Sequence, residues 1–572
     1  MAPLLALLLN LWLANSAFAG PTIKLARQAG ACDNTTLSTV LPSGTYIERL
    51  NDLPNGNETY GDPFPNLGYP NATFIPAVCA LTVRVTGPDN SDYRFGLFLP
   101  REQTWNRNFL AVGNYGQAGG INWADMGPGL KYGMATVSTD TGHSSPGNVL
   151  DWALERNRGA LRDWGYRAVN GSIHIAKALT TRYYTLTGSN KTLDKSYWSG
   201  CSTGGRQGLK QIQIEPESLD GVLIGAPAWD TKRLFPWIAN IASSFSPIGG
   251  PTYLDFSQLL FVTQYIRGIC DPQDSPAGIP DGVVSWPEEC NFNLNAIRCN
   301  STGQTNCITD AQIETVLSLH ADYVINGTTI FPGAPPGAEV TNPYIFDPSS
   351  ITNFSLEYFK YFLYPDEANS PLWSNFSHFL DNEAAIFGHS IEANPGQATA
   401  DNFDLSAFRN RGGKVIMYHG TEDSTVPTAE TARFYSSVLT TTAGGSSATM
   451  DSFFKLFYVP GMGHCFPDSG TEQYVPWDIG GAGQPVLTPP LASVPGHFLD
   501  PQYDALAALF AWVNTTGTPG ERNPHNITAV TWNATTSAEK SRPLCAFPRR
   551  AVYNTTRAGP IDQATSWDCP TV

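Results

Sequence analysis

Ser196-Tyr197-Trp198-Ser199-Gly200-Cys201-Ser202-Thr203-Gly204-Gly205-Arg206-Gln207-Gly208 is the stretch that decides how this chain reads. Ser196 to Ser199 is a short run with an aromatic centre that stops at a glycine, as a buried strand does. Gly205 to Ile214 then carries helical spacing. Between them, Gly200-Cys201-Ser202-Thr203-Gly204 fits G-x-S-x-G. In isolation that pentapeptide describes an ordinary Gly-rich turn equally well. Placed between a strand and a helix it describes a nucleophile elbow. Its glycines allow a sharp turn, and the helix N-terminus aims N–H groups at developing negative charge. Ser202 is the candidate nucleophile.

Working outward, further short apolar runs end in turns: Tyr93 to Leu99, Asn108 to Val112, Tyr132 to Val137, Gly221 to Ile224, Lys414 to Tyr418 and Phe453 to Val459. Helical patterns cover Arg167 to Tyr184 and Tyr503 to Val513. This alternation predicts an α/β fold, a mostly parallel sheet with helices on both faces, and chemistry at the carboxyl ends of its strands. From about Thr231 to Ala400 the pattern breaks. That segment has few strand-like runs, four clustered cysteines and the aromatic patch Tyr358 to Tyr364. It reads as an inserted lid (231–400) between two parts of a catalytic body (20–230 and 401–572). The aromatic patch reads first as the lid's own core.

A serine hydroxyl needs a general base and an acid to orient it. His464 follows the run Phe453 to Val459 in a Gly461-Met462-Gly463 loop, and Asp423 follows Lys414 to Tyr418. The order Ser202, Asp423, His464 is that of an α/β-hydrolase. His419 and His143 are rivals for the base: His419 stands four residues before Asp423 and reads as shaping that turn, and His143 precedes the nucleophile. Glu422 and Asp468 are rivals for the acid. Cys201 adjoins Ser202 and Cys465 adjoins His464, so a bridge between them would tie nucleophile to base. Two unrelated structural cysteines fit the same spacing.

The chain has 572 residues, 41% hydrophobic and 15% charged, enough for one large enzyme domain with an insertion. A net charge of −16, with no Lys/Arg-rich run, excludes an electrostatic footprint for nucleic acid. Residues 1–19 read as a signal peptide, with an apolar run Leu4 to Leu13 and a small-x-small site at Ala17-Phe18-Ala19. Ten cysteines and thirteen N-x-Ser/Thr sequons fit passage through an oxidising, glycosylating compartment. A secreted, extracellular protein is expected.

Several motifs together resemble the tannase and feruloyl esterase family: GCSTGGRQG (200–208), GVLIGAPA (221–228), RGGKVIMYHGTEDSTVP (411–427), VPGMGHC (459–465) and RPLCAFP (542–548). The resemblance implies an α/β-hydrolase fold with a large lid, Ser202 as nucleophile, His464 as base and Asp423 as its acid. It implies an oxyanion hole from the N–H groups of Thr203 and Gly116, in a loop where the family is often richer in glycine than Asn114-Tyr115. It implies the disulfides Cys201–Cys465, Cys32–Cys79, Cys270–Cys290, Cys299–Cys307 and Cys545–Cys569. It also implies a structural calcium ion (Ca2+) in the lid, on a loop opening at Cys270. The carboxylates of Asp271, Asp274 and Asp281 and the carbonyls of Ile279 and Val283 would hold it, a hard-oxygen set of the kind calcium takes. The elbow looks more like that of fungal feruloyl esterases than of tannases. The implied activity is hydrolysis of hydroxycinnamate esters of plant cell-wall carbohydrate. A galloyl or other aromatic ester is the alternative, and a non-catalytic binding protein on the same fold the remote one.

Overall fold

The computed structural model describes residues 31–63, 69–146, 149–188, 191–274, 280, 282–301, 303–340, 352–465, 477–481, 497–514, 523–532, 539–557 and 559–570. The expected signal peptide, Ile279, Asp281, Asp468 and the side chain of Asp274 lie outside the described residues.

The centre is a nine-stranded sheet. In chain order its strands are β1 (Thr45–Leu53), β2 (Val78–Gly87), β3 (Ser91–Pro100), β4 (Phe109–Val112), β5 (Ala135–Thr139), β6 (Ser196–Cys201), β7 (Gly221–Gly225), β8 (Lys414–Gly420) and β9 (Phe454–Val459). Across the sheet they run β1-β2-β3-β5-β4-β6-β7-β8-β9. From β5 to β9 every pairing is parallel. The other three strands pair antiparallel. The expectation of a mostly parallel sheet therefore holds for six strands, with an antiparallel edge that the apolar runs alone did not mark. The reason is a hairpin: Pro88 to Asn90 turn β2 back into β3, and both strands are long because they pair over ten residues.

β4 and β7 are buried along their whole length, as parallel strands covered on both faces must be. One apolar cluster joins helix Ala168–Leu186 to one face, and a second joins helices Trp123–Lys131 and Ala505–Val513 to the other. The α/β-hydrolase architecture is thus present, with helices on both sides of the sheet.

The sheet leaves the chain after Gly225 and regains it at Lys414. The intervening residues fold mainly as helices, including Thr231–Ser244, Phe256–Asp274, Asp310–His320 and Glu383–Ala393, with one small hairpin. They share a third apolar cluster, into which Leu150, Trp152 and Trp164 from before the nucleophile also pack. The patch at 358–364 belongs to this core: Tyr358, Phe359 and Phe362 are buried, against Phe235, Trp152, Trp164 and Phe379. Among the described residues no helix is long and apolar enough to cross a membrane.

Candidate active site

Ser202 stands between β6 and helix Thr203–Ile214, with φ 61° and ψ −123°. That conformation is costly for a residue with a Cβ and persists only where its surroundings hold it. Here Ser202 N–H donates to the Gly225 carbonyl at 3.0 Å, and its carbonyl accepts from Arg206 N–H at 3.0 Å and Ala228 N–H at 3.1 Å. Close approach explains two flanking glycines. A Cβ on Gly200 would lie 2.8 Å from Gly204 C, and one on Gly204 would lie 2.9 Å from the Asn114 carbonyl oxygen.

The three candidate residues meet. His464 Nε2 lies 2.8 Å from Ser202 Oγ, and His464 Nδ1 lies 2.7 Å from Asp423 Oδ2. Because a carboxylate only accepts, Nδ1 carries the ring proton and Nε2 is left to accept from the serine hydroxyl. Asp423 follows β8, and His464 follows β9, so both reach the site from neighbouring strand ends. Asp423 is fully buried. Burial pushes its carboxyl up, but the His464 charge and the donors from His419 and His464 outweigh it and hold the group well below the usual carboxylate range. The rivals are occupied elsewhere. His143 stacks on Trp152 at 3.7 Å and accepts from Ser145 N–H. Glu422 pairs with Arg267 and accepts from Val284 N–H at 3.2 Å, tying the strand-end loop to the insertion.

All five expected disulfides are formed. Cys201–Cys465 spans 264 positions and brings the residues beside Ser202 and His464 to a Cα separation of 5.9 Å.

Thr203 begins its helix and Gly116 faces it: Thr203 Oγ1 donates to the Gly116 carbonyl at 2.6 Å. Among the described residues neither the Thr203 nor the Gly116 N–H donates to a protein acceptor. The departure at Asn114-Tyr115 is compensated. Asn114 N–H donates to Gln207 Oε1 at 2.9 Å, and Gln207 Nε2 returns a bond to Asn114 Oδ1 at 3.1 Å. The Asn114 amide also donates to the Thr139 carbonyl, and Tyr115 N–H donates to Tyr69 Oη. A paired amide here does the work of holding the loop that glycine flexibility would leave undone.

Three supporting residues escaped the sequence reading. Gln207 is the first. Arg206 is the second: fully buried, it donates to the carbonyls of Gly165 and Ala398 and stacks on Trp164 at 4.4 Å. Burial pushes its pKa down to about 9. A lone arginine in a Gly-rich helix start was the available signal. His419 is the third, and its neighbours show more than a turn (below).

Of the expected calcium ligands, Asp271 and Val283 are described. The loop was expected to open at Cys270, but helix Phe256–Asp274 continues past it. Leu259, Val262, Ile266 and Cys270 recur at helical spacing and are all buried, which carries the helix through Asp271. Asp271 is itself buried, and its Oδ2 accepts from Gly282 N–H at 2.8 Å. The Cys270–Cys290 bridge closes the segment. A buried carboxylate at this point fits a hard cation.

Residues 78–570 match the family model described as tannase and feruloyl esterase. A protein of Aspergillus terreus named probable feruloyl esterase B-2 is 29% identical over 95% of this chain and 96% of its own length. One of Aspergillus fumigatus named probable feruloyl esterase B-1 is 30% identical over 86% of this chain and 85% of its own. The crystal structure of feruloyl esterase B from Aspergillus oryzae superimposes with a TM-score of 0.79 at 26% identity, covering 95% of this chain and all of that one (100%). Tannin acyl hydrolase from Aspergillus niger shares the fold, with a TM-score of 0.70 at 21% identity, covering 95% of this chain and 96% of that one. The chain belongs to the tannase and feruloyl esterase family, and it is a carboxylic ester hydrolase.

Proposed function

We propose that this hydrolase is secreted and releases hydroxycinnamic acids, such as ferulic and p-coumaric acid, from esters of plant cell-wall carbohydrate. The observation that carries the mechanism is the continuous hydrogen-bonded line from Ser202 Oγ through His464 to Asp423, at 2.8 and 2.7 Å. His464 Nε2 takes the hydroxyl proton as Ser202 Oγ attacks the ester carbonyl carbon. The carbonyl oxygen becomes negative beside the Thr203 and Gly116 N–H groups. Two such donors contribute about 3 kcal/mol each to lowering the barrier. His464 then passes its proton to the sugar oxygen, which leaves, and Ser202 carries the acyl group. Water, deprotonated by His464, attacks the acyl-enzyme and frees the acid. Asp423 remains ionised throughout and stabilises the imidazolium.

The substrate class is supported by the two relatives named as probable feruloyl esterases and by the match to feruloyl esterase B. Residues 231–400 act as a lid in this reading, with 20–230 and 401–572 forming the body. Asp271, with Asp274 and Asp281 and the carbonyls of Ile279 and Val283, would hold a structural calcium ion there. The ion's chemistry is to pin the loop beside Val284, whose carbonyl accepts from Thr421 at 2.7 Å. Chelation should lower the unfolding temperature; an unchanged melting curve with no calcium in elemental analysis would overturn the site.

The decisive experiment combines fluorophosphonate labelling with turnover of methyl ferulate and methyl gallate. Labelling at Ser202 and preferred ferulate turnover are expected. Fast gallate turnover beside negligible ferulate turnover would overturn the substrate, and folded protein without label at Ser202 would overturn the mechanism.

A further inference from the structure

His419 ends β8 one step before the loop that carries Asp423, and its side chain is fully buried. Its Nε2 lies 2.9 Å from Asp423 Oδ2 and 2.9 Å from the Val426 carbonyl. A carbonyl only accepts, so Nε2 bears the hydrogen and points it between the two oxygens. On the other side of the ring, Nδ1 lies 2.6 Å from Thr431 Oγ1. A threonine hydroxyl can donate there, which fixes the neutral imidazole with its one proton on Nε2.

Asp423 Oδ2 is therefore shared by two imidazoles, His464 Nδ1 at 2.7 Å and His419 Nε2 at 2.9 Å. Asp423 Oδ1 accepts from Thr425 N–H at 2.8 Å and Val426 N–H at 2.9 Å. Four donors occupy the carboxylate, two per oxygen, which is its full capacity. The backbone pair alone would leave the oxygen facing His464 held from one side only.

We propose that His419 is a positioning residue for the triad: its Nε2–H, set by the Thr431 hydroxyl, fixes Asp423 Oδ2 on the line to His464 Nδ1. The inference rests on the triad reading above. His419 touches neither the ester nor Ser202; it acts through the orientation of Asp423. Orientation of the acid matters when positive charge develops on His464, so its loss falls on kcat and leaves KM in place.

The test uses three variants of the full-length protein, with kcat expressed per fluorophosphonate-titrated active site, so that unfolded molecules do not count. His419→Leu removes the donor within a similar volume and should lower kcat about 10- to 100-fold with KM unchanged. His419→Gln can place an amide N–H near the position of Nε2 and should restore most of that loss. Thr431→Val keeps the imidazole but removes the hydroxyl that fixes its tautomer, and should lower kcat by about 3- to 10-fold. If His419→Leu does not fold, Thr431→Val carries the test alone. Wild-type kcat per site in His419→Leu or Thr431→Val would overturn the proposal. So would equal losses in the Leu and Gln variants. Failure of the triad reading itself is distinguishable, because wild-type protein would then not label at Ser202.

Discussion

Asp423 and Glu430 stand on either side of the start of helix Thr428–Thr441, and burial treats them alike. Their carboxyls end up in opposite states. Asp423 receives four directed N–H donors and is held well below the usual carboxylate range. Neither carboxylate oxygen of Glu430 is hydrogen-bonded. Arg433 Nη2 lies 3.0 Å from Glu430 Oε2 but without hydrogen-bond alignment, and the same guanidinium serves Asp230 Oδ2 at 2.6 Å. Burial therefore wins at Glu430: the group is pushed up to about 8, with Arg433 opposing and Asp230 assisting. Both sites lie close to the catalytic strand ends. What separates a working acid from a dormant one here is the number of donors aimed at it, since depth and nearby positive charge are common to both.

The hardest way to break this contrast is to neutralise each group in turn. Asp423→Asn should leave His464 with the wrong tautomer and lower kcat by about 10⁴-fold, as loss of the acid does in such triads. Glu430→Gln should leave kcat unchanged. Methyl ferulate turnover at pH 7 measures both. Comparable losses in the two variants would mean that Glu430 participates in the chemistry and that the contrast is false.

A second test asks whether donor geometry at Asp423 depends on the bridge between Cys201 and Cys465. With both cysteines changed to alanine, His464 is no longer tethered to the nucleophile's strand. Misplacement of the base by about 1 Å costs about 10²-fold, so kcat should fall about 10- to 100-fold in a chain that still folds. Wild-type kcat in the double variant would show that Asp423 and its donors hold His464 unaided.

The uneven legibility of these features in the sequence has a physical basis. Ser202, Asp423 and His464 each follow a short apolar run, and strand ends are visible as such runs stopping at glycine or a polar turn. The sheet's parallel half was read for the same reason. The antiparallel edge was missed because β1 and β2 face solvent in part, and their polar positions hide the strand pattern. His419 was read as a turn residue because four-residue spacing shows proximity and nothing of the shared oxygen. Arg206 and the Asn114–Gln207 amide pair were missed because their partners come from distant segments: Gly165 and Ala398 for the arginine, and residues 93 positions apart for the amides. Glu430 offered no signal at all, since its state follows from donors that fail to reach it.

The smallest expected effect is also the most specific, because the two carboxyls tie stability to pH in opposite directions. Glu430 has its folded pKa raised from 4.5 to about 8. Between those values the folded chain keeps a proton that the unfolded chain has released, so stability falls as pH rises through that window. Glu430→Gln removes this loss. The variant should match the wild type at pH 5 and exceed it at pH 8 by roughly 1–3 kcal/mol, at about 1.4 kcal/mol for each pKa unit realised. Asp423 has its folded pKa lowered from 3.8, so its contribution is present above that value and is lost only as pH falls below it. The two windows do not overlap. Urea midpoints at pH 5, 6.5 and 8 therefore report on Glu430 without interference from Asp423. A gap between variant and wild type that stays constant with pH would mean that Glu430 is ionised in the folded chain. Arg433 would then be neutralising it through charge alone, and directed donors would no longer explain why these two buried acids differ.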